Sequence, residues 1–229
     1  YAEKEDWVNA QKSLGGYMGV IDKAAPDIQA QAHATLARAY LKGSRNGEAQ
    51  AKGEYAKVRG LWQNPGDAVG RIKAAYPGED ESAIQRRIGK ALNAVGEAYF
   101  FNAEEIKKTK VDVIKFPEYN GPGTKEDVIK HINTKVKDWL EKKGPAIEAA
   151  AGEYKKIVDL QPDAPPKWVI AAGSRVGLMW GQFVDDFRAA PIPKAWKTDA
   201  ELRGVYYDAL DAKSEPIKVQ RAKPALVTC

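Results

Sequence analysis

Residues 150–172 read AAGEYKKIVDLQPDAPPKWVIAA, and this stretch decides the fold. Before its prolines, apolar side chains recur at helical spacing at Ala150, Tyr154, Ile157 and Val158, while the charged residues between them face solvent. The three prolines in residues 162–166 end this helix, because proline lacks an amide donor and clashes with the preceding turn. A second apolar stripe opens directly after them. The stretch therefore predicts two helices joined by a short turn.

An earlier part of the chain repeats the first half of this pattern. Residues 51–58 read AKGEYAKV and match AAGEYKKI at residues 150–157 in residue or residue type at nearly every position. The two central tyrosines, Tyr55 and Tyr154, are 99 residues apart. This distance is about three periods of the 33–34 residues that are typical of helical-hairpin repeats. The sequence therefore predicts a hairpin that recurs along the chain.

This pattern resembles the tetratricopeptide repeat, a family in which small and aromatic residues mark both helices of each hairpin. The spacing of Ala150, Tyr154, Ile157 and Pro162 is similar to that of the family's second helix. The resemblance implies that hairpins pack through six residues: Tyr40, Tyr55, Tyr99, Tyr154, Trp168 and Ala172. The register holds only in patches, since Arg175 stands where the family has a tyrosine. An irregular helical bundle with coincidental spacing of tyrosine and alanine is the alternative.

The predicted fold class is all-α, with antiparallel helix hairpins stacked as a right-handed solenoid like that of tetratricopeptide proteins. We expect one repeat domain over residues 1–229, as part of a longer chain, since the sequence starts at Tyr1 without a methionine. The predicted hairpins lie at residues 3–24, 27–64, 82–143, 145–188 and 198–228. One long loop is expected at about residues 110–124, where strand-like alternation gives way to turn residues and no partner strand is found.

Glycine, proline and capping residues predict where helices begin and end. Gly15 and Gly16 indicate a turn inside the first helical region, and Gly144 with Pro145 predicts a break. Three pairs have the spacing of helix caps: Ser82 with Gln85, Thr124 with Asp127, and Thr198 with Glu201. After the first pair, apolar residues at steps of mostly three and four predict a long helix that reaches Ile106. A last amphipathic helix is expected over residues 216–229.

Composition describes a globular protein of mixed charge. The net charge is +5 with a pI near 9.0, and acidic residues alternate with basic ones as on solvated helix faces. No run of about 18 apolar residues occurs, so no membrane span is expected. Cys229 is the only cysteine, which excludes a disulfide scaffold and a cysteine metal site. A single cysteine leaves the bacterial periplasm or cell envelope and the cytoplasm equally open.

Catalytic and metal-binding signals are weak, so we expect no enzyme activity, no metal and no cofactor. His33 and His131 are the only histidines, and neither has a nucleophile or a ligand-spaced partner nearby in the sequence. Residues 121–125, GPGTK, suggest a phosphate loop, but the spacing is wrong and Pro122 removes an amide donor. Adjacent carboxylates such as residues 104–105 point about 100° apart on a helix, which keeps them from serving one reaction centre.

A locally basic segment raises the question of nucleic-acid binding. Residues 107–143 are rich in lysine and include two aromatic residues, Phe116 and Tyr119. Acidic residues are interspersed throughout the segment, and no platform for base stacking is evident. The segment therefore does not favour nucleic acid as the partner.

The function that the resemblance implies is a non-catalytic scaffold that binds a protein or peptide in a helical groove. Carrying the groove positions of the family onto this chain gives Gln31, Arg38, Lys42, Asn93, Glu97 and Phe101. The chain also resembles, in general texture, large tetratricopeptide proteins of bacterial cell envelopes, some of which serve gliding motility or complex assembly. A structural spacer in a larger repeat protein is the alternative; a nucleic-acid-binding protein and an enzyme are less favoured. Phe101 is also consistent with simple packing between hairpins.

Overall fold

The computed structural model describes residues 1–224, and these residues are helical with no strand among them. They fall into two compact units. The first unit consists of Tyr1–Ala103 together with Lys155–Val169, and the second of Glu104–Tyr154 together with the described residues from Ile170 onward. The all-α prediction is confirmed, whereas the stacking of hairpins into one solenoid domain stays a prediction.

The helices follow one another closely along the chain. Up to Ile106 they are a 3₁₀ turn (Ala2–Lys4), α1 (Trp7–Ile21), α2 (Pro26–Gly43), α3 (Glu48–Leu61), α4 (Pro65–Ala75) and α5 (Glu81–Ile106). Beyond it are a π-helical turn (Lys107–Val111), α6 (Lys125–His131), a second π turn (Ile132–Val136), α7 (Lys137–Val158), α8 (Pro166–Arg188), α9 (Lys194–Thr198), α10 (Ala200–Ile217) and a third π turn (Lys218–Ala222). Residues 225–229, which include Cys229 and the end of the predicted last helix, lie outside the described residues.

The core of the first unit is built from small residues on α2 and larger ones on the helices around it. Ala30, Ala34 and Ala37 are fully buried on one face of α2, which packs against α1 and α3. Alanine lets neighbouring helices approach closely, and the space is filled by branched and aromatic side chains. The larger buried members of this core are Tyr55, Val58, Trp62, Ile72, Ile84, Ile88, Leu92, Val95 and Leu160.

The second unit has an aromatic core. The rings of Trp139 on α7 and Phe183 on α8 stack with their centroids 5.0 Å apart and planes 12° from parallel. Trp180 meets Phe183 edge-on at 5.6 Å, and Phe116 meets Trp139 edge-on at 5.0 Å. Such offset and edge-on pairs add stabilisation beyond the burial of their surface.

The predicted long loop is confirmed, because no helix covers residues 112–124. Tyr119 organises it: its hydroxyl donates to Asp127 Oδ2 at 2.6 Å and accepts from the amide of Gly123 at 2.8 Å. Gly123 has a φ of +83°, a left-handed conformation that glycine adopts without strain. The cap predicted at Thr124 is also confirmed, since its hydroxyl accepts from the amide of Asp127 at 3.3 Å.

The other two predicted caps are wrong by one or two residues. The amide of Ala83 donates to Asp80 Oδ1 at 2.7 Å, so Asp80, not Ser82, caps α5. The amide of Leu202 donates to Asp199 Oδ1 at 3.1 Å, so Asp199, not Thr198, caps α10. In both cases a carboxylate directly precedes the helix and competes successfully with the nearby hydroxyl, because it is a charged acceptor at the positive end of the helix dipole.

Three predicted breaks are also wrong. The last helix does not begin at Pro216, because α10 continues through that residue to Ile217. α1 continues through Gly15 and Gly16, where a glycine costs only about 1 kcal/mol relative to alanine, so the predicted hairpin at residues 3–24 is one helix after a 3₁₀ turn. α7 likewise continues through Pro145. Proline removes one backbone hydrogen bond, and the burial of Ile147 and Tyr154 farther along the helix offsets that loss.

Candidate binding cleft

Side chains from α2 and α5 line a cleft of about 590 Å³ in the first unit, which we call the α2–α5 cleft. Its lining residues are Gln31, Thr35 and Arg38 from α2, and Arg86, Gly89, Lys90, Asn93, Ala94 and Glu97 from α5. The polar residues of each helix are spaced by three or four positions, which places them on one helical face. Two polar stripes therefore border one space.

In the cleft, Glu97 is contacted by two side chains. Its Oε1 accepts a hydrogen bond from the Tyr55 hydroxyl at 2.7 Å and lies 3.2 Å from Arg38 Nε. The side chain of Glu97 is only 12% exposed. Burial raises the pKa of the Glu97 carboxyl above its ordinary value, although the positive charge of Arg38 and the Tyr55 hydrogen bond oppose that rise.

Tyr55 supports Glu97 from the core. Its ring is buried and lies 4.8 Å from the ring of Phe101, centroid to centroid. Burial, and then the negative charge of Glu97, raise the pKa of the Tyr55 hydroxyl, so this group stays a proton donor across the physiological range. The two rings and the carboxylate fix one wall of the cleft.

The cleft carries a positive balance. Its lining includes three cations, Arg38, Arg86 and Lys90, against the single carboxylate of Glu97. Arg38 is paired with Glu97, and Arg86 Nη1 donates to Ser82 Oγ at 2.7 Å. The side chains of Lys90 and Asn93 are exposed and have no hydrogen-bonding partner among residues 1–224. The cleft therefore offers an ammonium and a side-chain amide to a ligand that accepts hydrogen bonds.

Four of the six predicted groove residues meet in this cleft: Gln31, Arg38, Asn93 and Glu97. Lys42 does not line it, and its Nζ lies 4.6 Å from the centre of the Trp7 ring. Phe101 packs on Tyr55 and does not line it either. Thr35, Arg86 and Lys90 also line the cleft and were not among the predicted residues. Thr35 lies four residues from Gln31, and Lys90 three from Asn93, so helical spacing from the predicted residues would have found them.

A second polar cluster lies beside the cleft. Asp27 is fully buried, and its Oδ2 accepts from Arg87 Nη1 at 3.1 Å. The Arg87 guanidinium also binds both carboxylate oxygens of Glu79 and covers the ring of Tyr76 at 3.6 Å. The hydrogen bond from Arg87 lowers the pKa of Glu79. The sequence shows Asp27 only as an acidic residue in the first turn of a helix, with nothing local to indicate its distant arginine.

His33 lies between two carboxylates, and His131 lies against an aromatic ring. His33 is buried, with Nε2 at 3.0 Å from Asp22 Oδ1 and Nδ1 at 2.5 Å from Glu54 Oε2. The ring of His131 lies 5.2 Å from that of Tyr119, edge to face. Within residues 1–224, no three His, Cys, Asp or Glu side chains are grouped so that they could hold a metal ion.

The six residues predicted to pack between hairpins are all at least partly buried. Tyr154 is 1% exposed and donates to Glu104, whose Oε1 also lies 2.6 Å from Arg175 Nε. The ring of Trp168 lies 5.3 Å from that of Phe100. Tyr40 and Tyr99 pack against the core of the first unit, and Ala172 is buried on α8. Their equivalence as repeat positions stays a prediction.

No helix in the described part of the chain has the length and apolar character needed to cross a bilayer. Comparisons with models of protein families, with curated proteins and with solved structures gave no match to this chain.

Proposed function

We propose that the chain is a non-catalytic protein-binding scaffold and that the α2–α5 cleft holds a segment of its partner. One observation carries the proposal: polar side chains from two facing helical stripes border a single cleft of about 590 Å³. This volume lies within the range of about 300–1,000 Å³ that is usual for ligand sites. Lys90 and Asn93 supply donors for the carbonyl groups of an extended peptide.

The arrangement favours binding over catalysis. Arg38 and Tyr55 both contact Glu97, so the carboxylate in the cleft already has a cation and a hydroxyl as partners. Acid–base and nucleophilic catalysis usually pair a carboxylate with a histidine or a reactive nucleophile, and the residues that line this cleft include no histidine and no cysteine. Glu97 is better suited to hold Arg38 in place.

A repeat architecture like that of tetratricopeptide proteins is part of this proposal. Its support is that Tyr55 and Tyr154, at matching positions of similar segments, are both buried and both donate to a glutamate. In each case an arginine contacts the same glutamate oxygen. We propose that this shared packing unit recurs because successive hairpins use the same contact.

A peptide-display experiment tests the proposed cleft. Random peptides are selected on the immobilised chain, and the selected peptides are then measured by isothermal titration against Lys90→Glu and Lys52→Glu. Lys52 is exposed on α3, outside the cleft, so it controls for the change in net charge. We expect Lys90→Glu to weaken binding about tenfold, as reversal of a contacting charge typically does, and Lys52→Glu to leave it within about twofold.

Two outcomes would count against the proposal. If the selected peptides bind both variants equally, the α2–α5 cleft is not the site. If repeated selection recovers no peptide above background, the spacer function becomes the better interpretation.

A further inference from the structure

The second unit contains a separate cavity of about 340 Å³, which we call the Lys143 cavity. Its lining comes from the first π-helical turn and the residue after it, from α7 and from α8. The lining residues are Lys107, Val111, Asp112, Lys143, Arg175, Leu178, Met179 and Gln182. They carry three positive charges and one negative charge, so the cavity has a cationic lining.

Lys143 is an unusual residue to find there, because it is only 7% exposed. Its Nζ donates to the carbonyl oxygens of Val111 at 2.8 Å and Ile114 at 2.9 Å. An ammonium group has three donors, and the third has no acceptor among the described residues. Burial lowers the pKa of the Lys143 ammonium, so a bound anion would stabilise its charged form.

Arg175 contributes further free donors. Its Nε lies 2.6 Å from Glu104 Oε1, while its Nη atoms have no partner among the described residues. The other polar residues of the lining are occupied. Lys107 Nζ donates to both oxygens of Asp112, at 2.9 and 2.8 Å, and Gln182 donates to Asp186 at 2.7 Å. Lys143 and the Nη atoms of Arg175 are therefore the cationic groups of the cavity that no described carboxylate contacts.

The rest of the lining is apolar. Val111 and Met179 are 3% and 4% exposed, and Leu178 is 58% exposed. Apolar side chains beside unpaired cationic donors suit a molecule with an anionic head and a short hydrocarbon body. A bare inorganic anion would leave the apolar lining unused.

We propose that the Lys143 cavity binds a small organic carboxylate, with its head on Lys143 and Arg175 and its aliphatic body against Met179 and Leu178. The site is independent of the α2–α5 cleft and uses none of its residues. Its chemistry is binding alone, since no bond is made or broken.

The two methionines of the chain, Met18 and Met179, provide a direct test. Labelling methionine methyl groups with ¹³C gives one signal from the cavity and one from α1, where Met18 serves as an internal control. In a titration with sodium hexanoate, we expect the Met179 signal to shift saturably with a dissociation constant on the order of 1 mM, and the Met18 signal to stay in place. Acetate, inorganic phosphate and hexylammonium should each bind at least about tenfold more weakly, because each lacks the head or the body.

Two variants at one exposed position supply the matched control. Leu178→Glu and Leu178→Lys remove the same apolar side chain but place opposite charges beside the cavity, and both keep the side chains of Lys143 and Arg175. We expect hexanoate to bind Leu178→Lys at least about fivefold more tightly than Leu178→Glu, because the introduced lysine attracts the carboxylate and the introduced glutamate repels it. The proposal is overturned if Met179 does not shift, if hexylammonium binds as well as hexanoate, or if the two variants bind hexanoate equally.

Discussion

Three carboxylates whose side chains are 0%, 12% and 32% exposed share one way of offsetting the cost of desolvating a charge. Each of the three is contacted by a tyrosine hydroxyl and by an arginine of another segment. The sets are Asp27 with Tyr76 and Arg87, Glu97 with Tyr55 and Arg38, and Glu104 with Tyr154 and Arg175. A neutral donor and a cation together replace much of the hydration that the carboxylate loses on folding. Removing only the arginine would leave the carboxylate with the neutral tyrosine hydroxyl but without a partner of opposite charge, which should lower stability.

The pH dependence of stability tests this arrangement at Glu97. Burial raises the pKa of the Glu97 carboxyl, so the folded state holds this proton more tightly than the unfolded chain does. As pH rises from the unfolded pKa through the folded pKa, the ionisation of Glu97 therefore lowers the free energy of unfolding. Glu97→Gln keeps an acceptor for Tyr55 but does not ionise. We therefore expect the free energy of unfolding of Glu97→Gln, relative to wild type, to increase between pH 4 and pH 7 in urea titrations.

Glu81 provides a control of opposite sign. Hydrogen bonds from Gln85 and Lys73 lower the pKa of this exposed carboxylate, so it adds stability above its unfolded pKa and loses it as pH falls. The relative stability of Glu81→Gln should thus decrease as pH rises to about 5, which passes the lowered folded pKa and then the unfolded one, and the change should be small because solvent screens the group. A flat difference for Glu97→Gln would mean that its carboxylate is not destabilised by burial.

The sequence predicted which residues are buried better than it predicted which side chains they pair with. Tyr55 and Tyr154 were predicted as buried packing residues from local spacing, and both are buried. The partner of Tyr55 is Glu97, which lies 42 residues away, and nothing near either residue indicates the pair. Side-chain pairing depends on which helices touch, and that is information the local pattern does not contain.

Among the elements, α5 shows why long helices were predictable and their ends were not. Ile84, Ile88, Leu92 and Val95 are all buried, as their spacing predicted. The start of the helix was misplaced because Asp80 competes with Ser82 as the capping acceptor. A periodic pattern sums evidence over many residues, whereas a cap rests on one hydrogen bond.

Two glycines of α5 should respond in opposite ways to substitution by alanine. A Cβ at Gly96 would lie 2.6 Å from Pro165 Cγ and 2.8 Å from Trp168 Cδ1, so Gly96→Ala forces the start of α8 to shift. We expect it to lower the free energy of unfolding by about 1–3 kcal/mol. Gly89 has no atom within 4 Å of the same position, and Gly89→Ala should raise stability by about 0.5–1 kcal/mol through helix propensity.

Urea denaturation of both variants measures the difference directly. Since both changes add one methyl group to the same helix, propensity alone would make them equal. Equal effects would therefore show that Gly96 is not in close contact with Pro165 and Trp168.

For the whole molecule, the sequence predicted the helical class but not how distant segments combine. The first unit joins Tyr1–Ala103 with Lys155–Val169. Within it, the Trp62 indole donates to the carbonyl of Gln161 at 2.8 Å, across 99 residues of chain. Composition and periodicity report on local structure, so they could not predict that these two segments share a core. Four residues of the α2–α5 cleft were predicted because the resemblance to tetratricopeptide repeats implies groove positions on these two helices.

Because the two segments share a core, truncating Leu160 should affect helices that are distant from it in the sequence. Leu160 is 8% exposed and belongs to the same apolar cluster as Val58 and Val95, although it follows α7 in the chain. Leu160→Ala should therefore reduce the hydrogen-exchange protection of amides in α3 and α5 by about 2–4 kcal/mol, the usual cost of a truncated core leucine. The control is Val158→Ala, a nearby residue that is 43% exposed and whose truncation should cost well under 1 kcal/mol. If Leu160→Ala left protection in α3 and α5 unchanged, residues 155–169 would not fold as part of the first unit.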